Sequence, residues 1–183
     1  MHSDSPVRAA IRALLSEHSV PFDELSHEPT RTSAESAAAR GVSTDIGGKS
    51  LLLKVDGVFG IYVLSASRQL HGNQLRKQRR ARRYRFATGE ELAAITGLVP
   101  GCVPPFGRPI FDLPLYCDPS VFEQARIAFN PGSLTDSILM ATSDWRRLVQ
   151  PLVFPFSRPA PGPPAPGPAG TALAPPVPEL GGS

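Results

Sequence analysis

Two apolar runs stand on either side of the pair Asp56-Gly57. The first holds Leu51, Leu52, Leu53 and Val55, and the second extends from Val58 to Ala66. Asp-Gly between two such runs is a strong short-range hairpin signal, because both residues tolerate the positive φ of a tight turn. A hairpin this apolar needs a partner to cover it, which commits the chain to a sheet with a packed face. Gly47-Gly48 and then Lys49 lead into the first strand. A lysine there can put its charge at the rim of the sheet with its stem on apolar neighbours. Taken alone, the stretch favours an ordinary solvated lysine at a strand start.

Gly48-Lys49-Ser50 also imitates the end of a phosphate-binding P-loop. That motif needs a glycine five residues before Gly48, where Ser43 stands, and a helix after the loop, where a strand is expected. The P-loop reading is set aside.

A chain of 183 residues, 41% of them apolar, can bury one real core. Proline is too frequent for uniform folding, at 21 residues, and about half of them follow position 150. From Pro159 to Pro168 the chain is nearly all proline, glycine and alanine. Such a composition buries too little apolar surface to offset its ordering entropy. The expected organisation is therefore a folded domain over 1–150 and a proline-rich, disordered or polyproline-like tail over 151–183, with the disorder starting near 155. Cys102 and Cys117 are too few and too far apart for a zinc knuckle or redox pair, and read as reduced thiols. No apolar run reaches the length of a membrane span, and Met1–Val7 lacks the pattern of a signal peptide. A soluble, cytoplasmic protein without membrane contact is expected.

Along the chain, Val7, Ile11, Leu14 and Leu15 recur at helical spacing, so 6–18 reads as an amphipathic helix that Pro21 ends. Phe22 to Leu25 suits a short strand. Thr32-Ser33-Ala34-Glu35 has capping-box spacing before an alanine-rich helix, and Gly41 is placed to close it. Thr88-Gly89-Glu90-Glu91 repeats that pattern, with Gly97 as the stop. Between them, Arg76 to Arg85 carries seven positive charges in ten residues, opening on a helix with Asn73 as its possible cap. Leu98–Pro109 holds two glycines and four prolines, so it reads as a stiff irregular loop. Ile110 to Tyr116 is expected as an edge strand because of Pro114. Ala125–Phe129 and Ser137–Ala141 are further strands around an Asn130-Pro131-Gly132-Ser133 turn, with a closing helical turn at 143–148.

Several chemistries find no support. His2, His18, His27 and His71 have no i,i+4 pairing and no adjacent cysteine, so no metal site and no cofactor is expected. There is no Gly-x-Ser-x-Gly elbow, and nothing near Cys102 in the sequence marks a base. The arginine block is the strongest physical signal. The whole chain's net charge of +3 understates it: so many clustered cations call for a counter-anion, and nucleic acid is a natural one.

Four stretches together resemble a known family. They are Gly47-Gly-Lys-Ser-Leu-Leu-Leu-Lys-Val55 before Asp-Gly; Arg85-Phe-Ala with the Glu90-Glu91 helix and Thr96-Gly97; Gly101-Cys-Val-Pro-Pro-Phe-Gly107; and Phe129-Asn-Pro-Gly-Ser133 with Ser137-Ile-Leu-Met140. In order and spacing these look like the YbaK/EbsC family of aminoacyl-tRNA deacylases, relatives of the editing domain of bacterial prolyl-tRNA synthetases. The resemblance covers about residues 6–150. It implies a mixed α/β (α+β) domain with a central, mostly antiparallel sheet flanked by helices. It implies hydrolysis of the ester joining a mischarged small amino acid, such as alanine, serine or cysteine, to the terminal adenosine of tRNA-Pro or a related tRNA.

The family's key lysine falls on Lys49. Its substrate-binding positions fall on His27, Thr32, Gly101, Pro105 and Gly132, although Pro131 departs from the small residue expected there. The block formed by Arg76, Lys77, Arg79, Arg80, Arg82 and Arg83 is then expected along the tRNA. The partners implied are aminoacyl-tRNA and, in addition, an aminoacyl-tRNA synthetase; the oligomeric state stays open, with a monomer preferred. Two alternatives remain: a non-catalytic tRNA- or nucleotide-binding module of the same fold, and an adaptor working through its proline-rich tail.

Overall fold

The computed structural model describes residues 5–30 and 32–161. The hairpin forms as its sequence requires. Strands β2 (Gly48–Val55) and β3 (Val58–Ser65) pair antiparallel from Gly48↔Ser65 to Val55↔Val58. Asp56 and Gly57 both take positive φ, 45° and 91°, the geometry of a twisted two-residue hairpin turn.

Around this pair the chain builds a five-stranded sheet in the order β5-β2-β3-β6-β9, with β5 (Tyr84–Phe86), β6 (Leu115–Cys117) and β9 (Leu152–Val153). A three-stranded antiparallel sheet holds β1 (Phe22–Ser26), β8 (Asp136–Ala141) and β7 (Arg126–Phe129). A two-stranded ribbon pairs β4 (Arg68–Leu70) with β10 (Ser157–Pro159). Five of the seven pairings are antiparallel; only β3–β6 and β6–β9 run parallel. The mostly antiparallel mixed α/β architecture holds, divided among three sheets rather than gathered into one. A single parallel bridge, Gly47↔Ala128, ties the two larger sheets together. A Cβ at Gly48 would lie 2.8 Å from Ile127 Cδ1, so glycine is what lets these strands approach so closely there.

The helices follow local signals. In α1 (Pro6–Glu17), Ser5 caps the first turn, and Ile11, Leu14 and Leu15 are buried at the expected spacing. Both capping boxes form, on α2 (Ser33–Arg40) and α4 (Gly89–Thr96), and Gly41 and Gly97 close them in the left-handed conformation. Helix α3 (Gly72–Arg79) begins at His71 without a side-chain cap, so Asn73 is inside the helix rather than capping it. Helix α5 is Thr142–Val149.

Alternation along the central hairpin feeds two cores. Leu52, Ile61 and Val63 face one cluster with Ile11, Leu15, Phe106, Phe129 and Trp145. Leu53, Val55, Tyr62 and Leu64 face the other, with Leu75, Tyr116 and Phe156.

Two expectations are corrected. The strand at Ile110–Tyr116 is only Leu115–Cys117, and it lies between β3 and β9 instead of at an edge. Pro114 keeps the strand from starting before Leu115 but still serves the sheet as an acceptor, from Ile61 N–H at 3.0 Å. Order also continues past 150. Phe156 is 0% exposed, and its ring meets Tyr62 edge-on at 5.6 Å. Its backbone N–H donates to the buried Asp118 Oδ2 at 2.7 Å. Phe154 and Phe156 outweigh the prolines that flank them and close the strap over the second core, while Leu152 and Val153 pair with β6 and stay exposed. Residues 162–183, the remainder of the expected tail, lie outside the described residues.

Candidate active site

Strand β5 pairs β2 only from Leu53 to Val55, leaving the edge of β2 open at Gly48–Leu51. Ala87 N–H donates to Leu52 O on that side. Peptide groups of a strand alternate in direction, so the N–H and C=O of Ser50 point the same way, past the end of β5. A cleft of about 240 Å³ opens there. Its walls come from α2 (Thr32, Ser36, Arg40), from Gly47–Leu51 and Ala66, from Gly101 and Val103 of the stiff loop, and from Ala128–Asn130 at the end of β7.

Each wall is held by contacts the sequence did not announce. The loop is pinned by Trp145 Nε1–H, which donates to Pro105 O at 2.9 Å, and by Gly132 N–H, which donates to Cys102 O at 3.0 Å. Asn130 Nδ2 donates to Gly101 O at 3.0 Å, and Asn130 Oδ1 accepts from Arg40 Nη2 at 2.6 Å. Arg40 Nε donates to Ser137 Oγ at 2.7 Å. Thr32 caps α2 and so fixes the direction from which that helix delivers Arg40.

Two cations define the electrostatics. Burial brings the Arg40 guanidinium down from its ordinary 12.5 to about 10, and burial also lowers the Lys49 ammonium from its usual value. Lys49 Nζ donates to the carbonyl oxygen of Arg68 on β4. An ammonium has three protons, so this single bond leaves donors over. Among the described residues neither cation has a carboxylate partner, and no aspartate, glutamate, histidine or cysteine lines the cleft. Partly desolvated positive charge balanced only by neutral acceptors favours an anionic ligand. Ser50 Oγ is buried in the same wall without a hydrogen-bond partner. No group of three or more metal-ligating side chains is present among the described residues.

The structure brings together Lys49, Thr32 and Gly101 from the sequence-derived set. It places three others behind the walls. Pro105 is buried and acts through its carbonyl. Gly132 takes φ 82°, and a Cβ there would lie 3.1 Å from both Ser5 Oγ and Val7 Cβ, so it shapes the turn. His27 lines a separate surface pocket with Arg8 and Asp136, and reaches Arg40 only through Ser137. Arg40, Asn130 and Ser137 were missed. The position of Arg40 in the last turn of α2, facing the same way as Ser36, is the one local hint that it belonged with Thr32.

None of the basic block lines the cleft. Arg79 is committed elsewhere, its guanidinium stacked 4.4 Å over the Tyr116 ring. Arg82 and Arg83 are held by their backbone N–H groups on the Asp56 carboxylate at the hairpin turn. At about 3.3 Å per strand residue, that turn is some 20 Å along β2 from Lys49.

A mixed α/β domain with a small, uncompensated cationic cleft at an open strand edge is a site suited to an anionic ligand. The chain belongs to the aminoacyl-tRNA editing domain family, whose model matches residues 27–148. It is 32% identical over 166 residues to the multifunctional Ser/Thr-tRNA deacylase ProXp-y of Escherichia coli K12, a match covering 87% of this chain and 98% of that protein. A proline–tRNA ligase of Shouchella clausii is 32% identical over 98 residues, which are 54% of this chain and 17% of the ligase. The fold matches the crystal structure of a candidate trans-editing enzyme for prolyl tRNA synthetase with a TM-score of 0.72 and 23% identity, covering 84% of this chain and 98% of that one.

Proposed function

We propose that this protein is a trans-editing aminoacyl-tRNA deacylase, hydrolysing the ester between a mischarged small amino acid and the terminal ribose of a tRNA. The observation that carries the reading is the pairing of Arg40 and Lys49, two half-buried cations without counter-charge, in a cleft of about 240 Å³. An aminoacyl ester is already activated, so positioning and stabilised negative charge supply most of what hydrolysis needs. Arg40, oriented by Asn130 and Ser137, suits the terminal phosphate. Lys49, with protons to spare, suits the oxygen that becomes negative when water adds to the ester carbonyl.

The cleft wall carries no carboxylate, imidazole or thiol to act as a base. The attacking water then passes its proton to the neighbouring ribose hydroxyl of the tRNA as that hydroxyl hands its own proton to the departing ester oxygen. The C–O ester bond breaks, its oxygen takes a proton, and free amino acid and tRNA leave. Gly101 and Val103 on the pinned loop limit the size of the acyl group. One chain supplies the whole cleft, so a monomer suffices. No helix of the described residues is long and apolar enough to cross a membrane, in keeping with work in the cytoplasm where tRNAs are charged. Arg76, Lys77, Arg80, Arg82 and Arg83 are the residues offered to the acceptor stem, with a prolyl-tRNA synthetase as the enzyme whose errors are corrected.

The test is a panel of Ala-, Ser-, Thr- and Cys-charged tRNAs with Lys49→Ala and Arg40→Met variants. Wild-type protein releases amino acid, and each variant is slower by roughly 10²–10³, the usual effect of removing one donor to a developing oxyanion. Undiminished hydrolysis by both variants rejects the assignment. Tight binding of uncharged tRNA with no release across the panel leaves a binding module instead.

A further inference from the structure

From the β4–β10 ribbon we infer a track for the RNA: Arg68 and Arg158 take backbone phosphates of the unpaired 3′ end of the tRNA where it leaves the cleft. The inference rests on the deacylase reading above and names the surface that receives the nucleic acid.

The ribbon stands between the cleft and the basic block. Ala66 lines the cleft, and two residues later the chain enters β4. The bond from Lys49 Nζ ends on the carbonyl oxygen of Arg68 itself. At its far end β4 runs through His71 into α3, whose second turn brings Arg76 and Lys77. Three strand residues span about 10 Å, whereas the hairpin turn that holds Arg82 and Arg83 is some 20 Å off along β2. The ribbon is thus the shorter way out of the cleft toward the cations.

Register and burial set its two faces. Leu70 packs on the second core, and Ser157 opposite it is buried, so that face looks inward. Alternation puts Arg68 on the face of Leu70, and puts Gln69 and Arg158, opposite one another, on the outer face. Arg68 Nε donates to Ser157 Oγ at 2.7 Å, and the Ser157 hydroxyl is hydrogen-bonded in turn to the Asp118 carboxylate. With the Gln69 amide oxygen turned toward it, the exposed Arg158 donates from Nε at 2.9 Å and from Nη2 at 3.3 Å. Each guanidinium is therefore aimed by a neutral side chain, and neither has a carboxylate partner among the described residues. Asp45, whose carboxylate reaches Ser67 beside Arg68, is taken up by the hydroxyls of Ser43 and Ser67. Holding Nε leaves terminal N–H groups over on both arginines, in the planar fork that suits a phosphate. The two lie at successive points on one way out, Arg68 beside Lys49 and Arg158 on the outside.

The test uses a charged tRNA that the wild type hydrolyses and the matching aminoacyl-adenosine, which has the ester and no phosphate, with Arg158→Ala, Arg158→Lys and Arg68→Met. Each neutral variant is expected to raise KM for the charged tRNA about tenfold, the scale of one charge-assisted hydrogen bond, with a smaller change in kcat. Its log–log salt dependence should flatten by roughly 0.7, the single-strand value for one phosphate contact, and Arg158→Lys should restore the slope. The ratio of kcat/KM on charged tRNA to that on aminoacyl-adenosine should fall with KM. Unchanged KM and slope in Arg158→Ala overturn the inference, and at that exposed side chain the result is not confused with a folding defect. Equal losses on both substrates also overturn it, since a contact to phosphate cannot slow an ester that has none. Absence of wild-type turnover on every charged tRNA removes the deacylase reading instead. Binding of uncharged tRNA then decides the ribbon, and a salt slope that the variants share with wild type overturns it.

Discussion

His27 and Arg40 meet on one atom. His27 Nε2 lies 2.7 Å from Ser137 Oγ, and Arg40 Nε donates to the same oxygen at 2.7 Å. The other ring nitrogen, Nδ1, lies 2.8 Å from the Glu28 carbonyl, which can only accept, so Nδ1 carries a proton. The single Ser137 hydroxyl proton then faces two acceptors, Asn130 Oδ1 at 3.3 Å and, in the neutral ring, His27 Nε2. Histidine and asparagine thus together set where the serine's lone pairs point, and through them the plane of the guanidinium in the cleft.

His27 is therefore expected to act as a positioning residue. His27→Ala and Ser137→Ala should each lower kcat/KM by roughly tenfold, and the double variant by little more than either alone, because both break one relay. Fully additive losses in the double-mutant cycle would mean that His27 works by another route.

Arg40 and Lys49 should make RNA binding sensitive to alkaline pH. Burial favours the neutral form of each, so the folded protein releases these protons at lower pH than the unfolded chain. Stability therefore rises with pH through that alkaline window, while affinity for an anion falls as the charges are lost. Titration of uncharged tRNA binding should show affinity declining as pH rises, with the decline setting in before pH 10.5, the ordinary lysine value, and less steeply in Lys49→Met. Affinity that stays flat through that range contradicts the placement of the two cations at the RNA end.

Residues past 150 should prove part of the folded domain. Phe156→Ala is expected to cost about 3–5 kcal/mol, as for other fully buried aromatics. Burial pushes the Asp118 carboxyl up, but hydrogen bonds from the Phe156 N–H and from Ser120 outweigh it and hold the group below its usual range. Its contribution is present above the ordinary carboxylate value and lost as pH falls below it. Asp118→Asn should cost about 1.5–3 kcal/mol at neutral pH and progressively less in acid. Denaturant melts of both variants at two pH values are the measurement.

The basic segment should bind by counterion release. Replacing Arg80, Arg82 and Arg83 with alanine is expected to weaken tRNA binding and to flatten the log–log salt dependence by roughly two units, at about 0.7–0.9 per phosphate contact. Arg79→Ala should instead lower stability, since its guanidinium lies on Tyr116. An unchanged salt slope in the triple variant would remove the segment from the RNA interface.

The parts of the molecule that depend on near neighbours were legible in the chain alone. The hairpin turn at Asp56-Gly57, the two capping boxes and their closing glycines are settled within a few residues, and all form. Lys49, Thr32 and Gly101 could be assigned from motif order, and all three line the cleft. The partners of the site could not. Arg40, Asn130 and Ser137 lie up to 97 residues apart, and nothing local distinguishes them from a helix-end arginine, a turn asparagine and a strand serine. Only the approach of β2 to β7, which Gly48 permits by having no Cβ to meet Ile127, puts Arg40 and Asn130 around one cavity with Ser137 behind them. The same holds for the strap at 152–159: its composition resembles the tail that follows, and only the open face of the second core turns Phe156 inward. Local sequence decided where helices and turns begin and end, because those choices are made by short-range hydrogen bonds. Which charges share a cleft was decided by tertiary packing, because that depends on how distant strands close on one another.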